Sequence, residues 1–140
     1  GSETAPLRVV DYTDPVDPAE GDELVLTTGR LFQHFNSGAL TRRSGTLVRM
    51  RDADVLQIHP EDADRRSISD GDVVTVTSDH GSVSVEADVT PAIRTGTVFM
   101  SFHFADPLVN RLTGDTLDPV AKIPEYKHSS VRVEVTTTDA

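Results

Sequence analysis

Hydrophobic and polar residues alternate in several short segments of this chain, a pattern that is typical of half-buried β-strands. Between Val83 and Val89 single polar residues separate the apolar ones, so every second side chain would face a core. The apolar run at residues 73–77 precedes this segment, and the turn-forming residues 79–81 connect the two. Two strand patterns joined by so short a turn predict a β-hairpin.

Four further segments have the composition of strands: residues 24–27, 55–58, 97–102 and 131–135. Residues 60–64 begin with proline followed by acids, which favours a short helix, and residues 107–112 offer one or two helical turns. Segments 41–54 and 114–126 are expected to be long irregular connections, where functional residues often lie. Many short strands separated by glycine and proline indicate a mainly β domain, either a compact barrel or a sandwich.

The 140 residues fit one domain, which we expect to span residues 23–136. Residues 1–22 are rich in acids and proline and poor in apolar side chains, so a flexible acidic tail is expected there. Its first two residues, Gly1 and Ser2, resemble the remnant of a removed tag, and the chain is expected to be cut from something larger. Residues 137–140 are expected to form a short second tail.

The composition excludes several kinds of site within these residues. Cysteine is absent, so this chain can form neither disulfides nor thiolate ligands for zinc or iron–sulfur clusters. The five histidines show no metal-binding spacing, and we expect no metal ligand here. No apolar run approaches the about 20 residues that span a bilayer, so no membrane insertion is expected. Nothing indicates secretion, and we expect a cytoplasmic location.

The formal net charge is −10, the acids are mostly aspartate, and lysine occurs only at positions 122 and 127. This charge argues against binding to nucleic acid, which requires a basic footprint. A surface rich in aspartate and poor in lysine also suggests a halophilic source, because concentrated salt screens the repulsion between like charges.

Against this acidic background, residues 27–51 contain five arginines and no acid. A local group of cations concentrates the attraction for anions. The segment opens with two threonines, a glycine and Arg30, directly after an apolar strand pattern. Hydroxyl, backbone N–H and guanidinium groups are the partners that phosphate takes in proteins. A phosphate-bearing ligand is one interpretation, and a solvated basic face paired with neighbouring acids is the other.

Three blocks of sequence, in this order, resemble a known family. They are residues 26–43, residues 98–104 with 110–113, and residues 117–127 continuing to 131–134, with residues 58–63 and 70–74 between the first two. In these blocks the chain resembles the C-terminal dinucleotide-binding domain of molybdopterin oxidoreductases, the dimethyl-sulfoxide-reductase superfamily. Within that superfamily the resemblance is greatest to the catalytic subunit of formate dehydrogenases.

The resemblance implies a mainly β fold, the double-psi β-barrel of the aspartate-decarboxylase type, with a few short helices. It also implies that the domain holds molybdopterin guanine dinucleotide, two molecules of which carry molybdenum or tungsten in the full enzyme. The implied partners are the remaining domains of the catalytic subunit, which perform the redox chemistry, and an iron–sulfur or electron-acceptor subunit. This chain alone would contain no catalytic residue. The metal, and the choice between formate, nitrate or another substrate, stay open.

The same resemblance implies which residues touch the cofactor. Thr28, Gly29 and Arg30 would lie at the pyrophosphate or the pterin edge, where glycine lets the backbone approach closely. Further polar groups would come from the following loop, the second block and the last loop: His34, Asn36, Arg42, His103, Asn110, Tyr126 and Lys127.

Two other functions use the same barrel. Residues 62–76 resemble half of the adaptor-binding N-domain of certain AAA ATPases, which would make this chain a protein-interaction module. That function leaves the arginines and residues 122–127 unexplained. A self-processing enzyme of the aspartate-decarboxylase type would cleave before a serine, and the bond between Gly81 and Ser82, in an ordinary hairpin turn, is the comparable step.

The remaining aromatic residues have a structural interpretation. Phe99, Phe102 and Phe104 are expected to fill the barrel rather than to stack on a base. His59, before Pro60, is expected to begin the helix.

Overall fold

Six β-strands close into a barrel in the computed structural model, which describes residues 21–117 and 120–136. The strands are β1 (Leu24–Gly29), β2 (Val55–Ile58), β3 (Val73–Ser78), β4 (Gly81–Val89), β5 (Thr97–Ser101) and β6 (Ser129–Val135). Each segment predicted to be a strand corresponds to one of them. The predicted tails at residues 1–22 and 137–140 lie outside the described residues, except for Gly21 and Asp22.

The order of the strands around the barrel is β1–β5–β2–β4–β3–β6. β1 pairs in parallel with β5, and β2 with β4, whereas the other neighbouring strands are antiparallel. Strands that are distant in the chain therefore interleave, and this closed barrel confirms the mainly β, double-psi architecture. The predicted hairpin is β3–β4, in which Ser78 pairs with Gly81.

The interior of the barrel is a continuous apolar core. Buried and less buried residues alternate along the strands, as in β1, where Leu24 and Leu26 are buried and Val25 is not. Strands β2, β3 and β5 contribute side chains without any exposed surface: Leu56, Ile58, Val74, Val76, Val98 and Met100. Because closure leaves no unpaired sheet edge, the barrel is a rigid support for the loops at its ends.

Helix α2 (Pro60–Arg65) confirms the helix predicted at residues 60–64. The Nδ1 atom of His59 accepts a hydrogen bond of 3.2 Å from the backbone N–H of Glu61, so His59 begins the helix as expected. The carboxylate of Asp62 is buried and accepts a bond of 2.6 Å from the backbone N–H of Gly96. This bond ties α2 to the turn before β5.

Helix α1 (Gly45–Met50) corrects the expectation that residues 41–54 are irregular. A 3-10 turn at Thr41–Arg43 leads into it. The sequence concealed this helix because three of its six residues, Gly45, Thr46 and Val48, are poor helix formers, and because none of the six is buried. The predicted turn at residues 107–112 is a 3-10 turn over Val109–Arg111. Within the described residues, no helix has the length and apolarity needed to cross a membrane.

The strand directions bring distant segments to one end of the barrel. Strands β1, β3 and β5 end there, and β2, β4 and β6 begin there. We call this end the loop end; it comprises residues 29–54, 78–81 and 101–129, of which 118–119 are not described. The turn that carries Arg94, directly before β5, lies at the opposite end.

Candidate functional site

Two cations meet at one aromatic ring at the loop end. The Nζ atom of Lys127 lies 5.8 Å from the centroid of the Phe102 ring, and the guanidinium carbon of Arg30 lies 5.9 Å from the same centroid. Lys127 Nζ also donates a hydrogen bond of 2.6 Å to the carbonyl oxygen of Thr28. Cation–π contacts hold charges in position without neutralising them.

The end of β1 positions these groups. The Oγ1 atom of Thr28 donates a hydrogen bond of 2.5 Å to the carbonyl oxygen of Tyr126, which ties the last loop to the strand. A Cβ atom at Gly29 would lie 2.6 Å from Cε2 of Phe99, so a side chain there would displace that ring. Arg30 follows where the pairing of β1 with β5 ends, and its side chain is exposed.

The cations of this region have no acidic partner among the residues that the structure describes. None of the ion pairs within residues 21–117 and 120–136 involves Arg30, Arg42 or Lys127. The interpretation of the arginines as a basic face paired with acids is therefore not supported at these positions. An exposed guanidinium and an ammonium near one ring are instead available to an anion.

His103 holds the loop that follows Arg30. Its ring has only 1% exposed surface, and Nε2 accepts a hydrogen bond of 2.7 Å from the backbone N–H of Leu31. Because Nε2 is an acceptor here, Nδ1 carries the proton and donates to the carbonyl oxygen of Asn36. Both nitrogens are used within the chain, so His103 positions the loop rather than contacting a ligand directly.

His34 braces the same loop from the other side. It is also buried, and Nε2 donates a hydrogen bond of 2.8 Å to the carbonyl oxygen of Arg51, while Nδ1 lies 3.1 Å from Oγ1 of Thr41. The ring packs edge-on against Phe104, with centroids 5.3 Å apart, and lies 5.9 Å from the ring of His103. The two imidazoles therefore form one internal support for residues 31–42.

The backbone of this loop requires particular residues. Asn36 and Gly38 both have positive φ, 48° and 69°. A Cβ atom at Gly38 would lie 3.0 Å from the carbonyl oxygen of His103 and 3.1 Å from Nε of Arg42. The glycine thus brings Arg42 close to the two-histidine support.

The structure brings together most of the residues implied by the resemblance. Thr28, Gly29, Arg30, Tyr126 and Lys127 contact one another directly or through Phe102, while His34, Asn36, Arg42 and His103 build the adjoining loop. Asn110 lies at the same end, exposed, in the 3-10 turn over Val109–Arg111. Within the described chain, no hydrogen bond connects its side chain to this group.

Phe102 has a position that the sequence did not reveal. It was expected to fill the barrel, but it is half-buried, packs against the rim of the core, and lies beside two cations. Phe104, expected in the barrel as well, is buried against His34 outside the core cluster. The position of Phe102 directly after a strand with buried residues is the one sequence signal, and that signal does not distinguish a core residue from a rim residue.

A buried polar cluster lies beside the site, at the start of β2 and the end of β5. One carboxylate oxygen of Asp54 accepts hydrogen bonds of 3.1 Å from the backbone N–H groups of Val55 and Ser101. The other oxygen, the Ser101 hydroxyl and Arg51 Nε have no partner among the described residues. Burial raises the pKa of Asp54, against the opposing effect of the bonds from Ser101 and Val55 and of the charge on Arg51.

A cavity of about 100 Å³ opens at the loop end beside residues 125–130, which lead into and begin β6. We call it the His128 pocket; its polar lining includes Ser78, Asp79, His80, Glu125, His128 and Ser129. The Nδ1 atom of His128 is buried and has no hydrogen-bond partner among the described residues. Among residues 21–117 and 120–136, no group of three or more histidines and acids is arranged to hold a metal ion.

Comparison with known proteins gives a consistent result. The family model described as the molybdopterin dinucleotide-binding domain matches residues 24–130. The chain is 42% identical over 129 residues to F420-dependent formate dehydrogenase 1 subunit alpha of Methanococcus maripaludis, covering 91% of this chain and 19% of that protein. It is 38% identical over 126 residues to the F420-dependent formate dehydrogenase subunit alpha of Methanocaldococcus jannaschii, with 89% and 19% covered.

Two further similarities extend this comparison. The assimilatory nitrate reductase catalytic subunit of Bacillus subtilis is 37% identical over 133 residues, with 92% of this chain and 19% of that protein covered. Among solved structures, acetylene hydratase from Pelobacter acetylenicus shares the fold with a TM-score of 0.72 at 18% identity, over 81% of this chain and 18% of that one. The chain spans about a fifth of the length of the curated relatives it matches.

Proposed function

Because this chain belongs to the molybdopterin dinucleotide-binding domain family, we propose that its loop end binds the phosphates of molybdopterin guanine dinucleotide. The observation that supports this most directly is the pair of cations, Arg30 and Lys127, that share the ring of Phe102 and have no acidic partner among the described residues. We call this place the phosphate site.

The side chains of the phosphate site suit a diphosphate. Arg30 can donate two parallel hydrogen bonds to one phosphate, and Lys127 adds a compact positive charge. Thr28 uses its hydroxyl to hold the last loop, so it positions Lys127 rather than binding the ligand itself. His34, Asn36 and His103 keep residues 31–42 in place, and Arg42 adds a third cation at their edge.

A cofactor of this kind supplies the redox chemistry when it is bound, and the residues of this chain bind and orient it. The residues present fit such a group, because Arg30 and Lys127 are exposed, form no ion pair among the described residues, and lie beside one aromatic ring. Little entropy would be lost when they bind, since Lys127 is already held by a carbonyl and two rings.

We further propose that the chain is part of the catalytic subunit of a formate dehydrogenase-like enzyme that uses molybdenum or tungsten. The relatives with 42% and 38% identity are formate dehydrogenase subunits, which favours formate over the nitrate of the relative with 37% identity. The remaining domains of that subunit, and an iron–sulfur or electron-acceptor subunit, would complete the enzyme. The family match supports this function rather than an adaptor-binding module of AAA type.

Titration with inorganic pyrophosphate at low ionic strength, followed by amide NMR, tests the phosphate site. We expect weak binding, because the rest of the binding cleft belongs to other domains, with shifts centred on Arg30, Leu31 and Lys127. Arg30→Gln and Lys127→Gln should each weaken binding about fivefold or more, equivalent to about 1 kcal/mol.

Arg94→Gln is the matched control, because Arg94 is an exposed arginine at the opposite end of the barrel. It should leave the affinity within about twofold of the wild type. If all three variants lose affinity equally, the attraction is nonspecific and the assignment of the phosphate site is wrong.

A further inference from the structure

We propose that residues 31–51 carry a docking surface for the remaining domains of the catalytic subunit, and that the partner surface is apolar at its centre and acidic around it. This inference rests on the proposed function, because those domains belong to the enzyme proposed there. It concerns side chains outside the phosphate site, which we call the docking surface: Phe32, Phe35, Leu40, Arg43, Arg49 and Met50.

The docking surface exposes large apolar side chains that the described residues leave uncovered. Phe32 has 96% of its surface exposed, although phenylalanine is among the residue types most often buried in proteins. Phe35, Leu40 and Met50 are exposed as well. Single exposed apolar residues are common on monomeric proteins, but several of them in one folded segment are typical of a surface that contacts another one.

Hydrogen bonds make this segment a single unit. The Oγ1 atom of Thr41 accepts a bond of 3.2 Å from the backbone N–H of Phe35, and the 3-10 turn at Thr41–Arg43 continues into α1. Directly after α1, the carbonyl oxygen of Arg51 accepts a bond of 2.8 Å from Nε2 of His34. One compact support therefore carries the apolar residues before the turn and the helix after it.

Helix α1 lacks the packing that stabilises most helices in proteins. None of its six residues is buried, and Leu47 and Val48 are only half-buried. A helix of this length is marginal in water unless an apolar face packs against another surface. Leu47 and Met50 are three positions apart and lie on one face of the helix. A partner that covered this face would supply the missing packing.

Composition and charge indicate the chemistry of the partner. Residues 27–51 contain five arginines but no lysine and no acid. Protein interfaces show the same bias, with arginine, methionine and aromatic residues enriched and lysine and acids depleted. Arg43 and Arg49 are exposed, and none of the ion pairs among the described residues involves them. Acids around an apolar centre would therefore complement the docking surface.

The length of the relatives favours an occupant from the same subunit. This chain covers 19% of each of the two F420-dependent formate dehydrogenase alpha subunits, so about four fifths of such a subunit lies outside it. Domains of one subunit face each other at a high effective concentration, so a modest interface is sufficient. A second copy of this chain is a poorer occupant, because a two-fold interface would bring the same arginines together and like charges repel.

Hydrogen exchange tests this inference by comparing this chain alone with the complete enzyme, in which the remaining domains are present. The amides of residues 45–51 should exchange about tenfold or more slowly in the complete enzyme. The same protection should persist after the cofactor is removed, because the docking surface does not include the phosphate site.

Met50→Gln keeps the side-chain length and the helix propensity but removes the apolar end of the side chain. In the complete enzyme it should reduce the protection of residues 45–51 about fivefold or more. In this chain alone it should change neither the stability nor the binding of pyrophosphate, since Met50 is 57% exposed. Val73→Thr is the matched control, because Val73 is 53% exposed at the opposite end of the barrel, and it should leave the protection unchanged.

Arg49→Glu tests the charge of the partner. It should reduce the protection of residues 45–51 about fivefold or more in the complete enzyme, whereas Arg94→Glu, at the opposite end of the barrel, should not. An unchanged protection in Arg49→Glu would overturn the assignment of an acidic partner.

Equal exchange of residues 45–51 in the two samples would overturn the docking surface, while the titration with pyrophosphate would still decide the phosphate site separately. Two other results would overturn it as well, because the occupant would be another molecule. One is protection that appears only when a separate electron-acceptor subunit is added. The other is a dimer of this chain, detected by sedimentation, that Met50→Gln dissociates.

Discussion

The support of the phosphate site by His103 can be tested by His103→Leu. Leucine fills much of the imidazole volume but cannot accept from the N–H of Leu31 or donate to the carbonyl of Asn36. Two buried hydrogen bonds, each worth about 0.5–1.5 kcal/mol net, would be lost, so we expect the free energy of unfolding to fall by about 2 kcal/mol. That change corresponds to a folded-to-unfolded ratio about thirtyfold lower.

The loss should be local as well as global. Because His103 connects β5 to residues 31–36, its replacement should free that loop while the barrel core stays closed. Urea unfolding measures the global change, and hydrogen exchange of the Leu31 amide measures the local one. The affinity for pyrophosphate should fall several-fold, because Arg30 would no longer be followed by a fixed segment.

His80→Leu is the control, since His80 is exposed in the β3–β4 turn and no hydrogen bond among the described residues joins it to residues 31–42. It should leave the exchange of the Leu31 amide unchanged. If His103→Leu changes neither the exchange of that amide nor the free energy of unfolding by more than about 0.5 kcal/mol, the proposed support does not exist.

Three other predictions follow from the site and the composition. Burial raises the pKa of Asp54, so its contribution to the stability of the wild type is greatest below the unfolded pKa and is lost as the pH rises through the folded pKa. Asparagine does not ionise, so the stability of Asp54→Asn relative to the wild type should be higher at pH 7 than at pH 4. Urea unfolding at both pH values measures this, and an equal difference at both would contradict it. Phe102→Leu should weaken pyrophosphate binding about threefold, in keeping with cation–π contacts of about 0.5–1 kcal/mol, with little change in stability; an unchanged affinity would show that the ring does not position the cations. If the net charge of −10 reflects a halophilic source, circular dichroism should show higher thermal stability in molar KCl than in dilute buffer, and equal stability would count against that source.

The sequence by itself determined the strands and the general place of the site. Period-two alternation within a few residues sufficed for β4 and β6, because the side chains of a strand point to opposite faces whatever the rest of the chain does. The order of the sequence blocks indicated the family, and the acid-free arginine segment indicated an anion. Helix α1 was missed because half of its residues have low helix propensity and none is buried, so no apolar stripe marks it in the sequence.

Only the tertiary structure decided which residues meet at the site. Leu31 and His103 are 72 positions apart, and Thr28 and Lys127 are 99 apart, so their contacts exist only because the strand order β1–β5–β2–β4–β3–β6 closes the barrel. The same closure placed Phe102 beneath two cations and buried Asp54. Alternation is a property of neighbouring residues, whereas proximity across a closed sheet depends on every strand pairing together, and no local pattern contains that information.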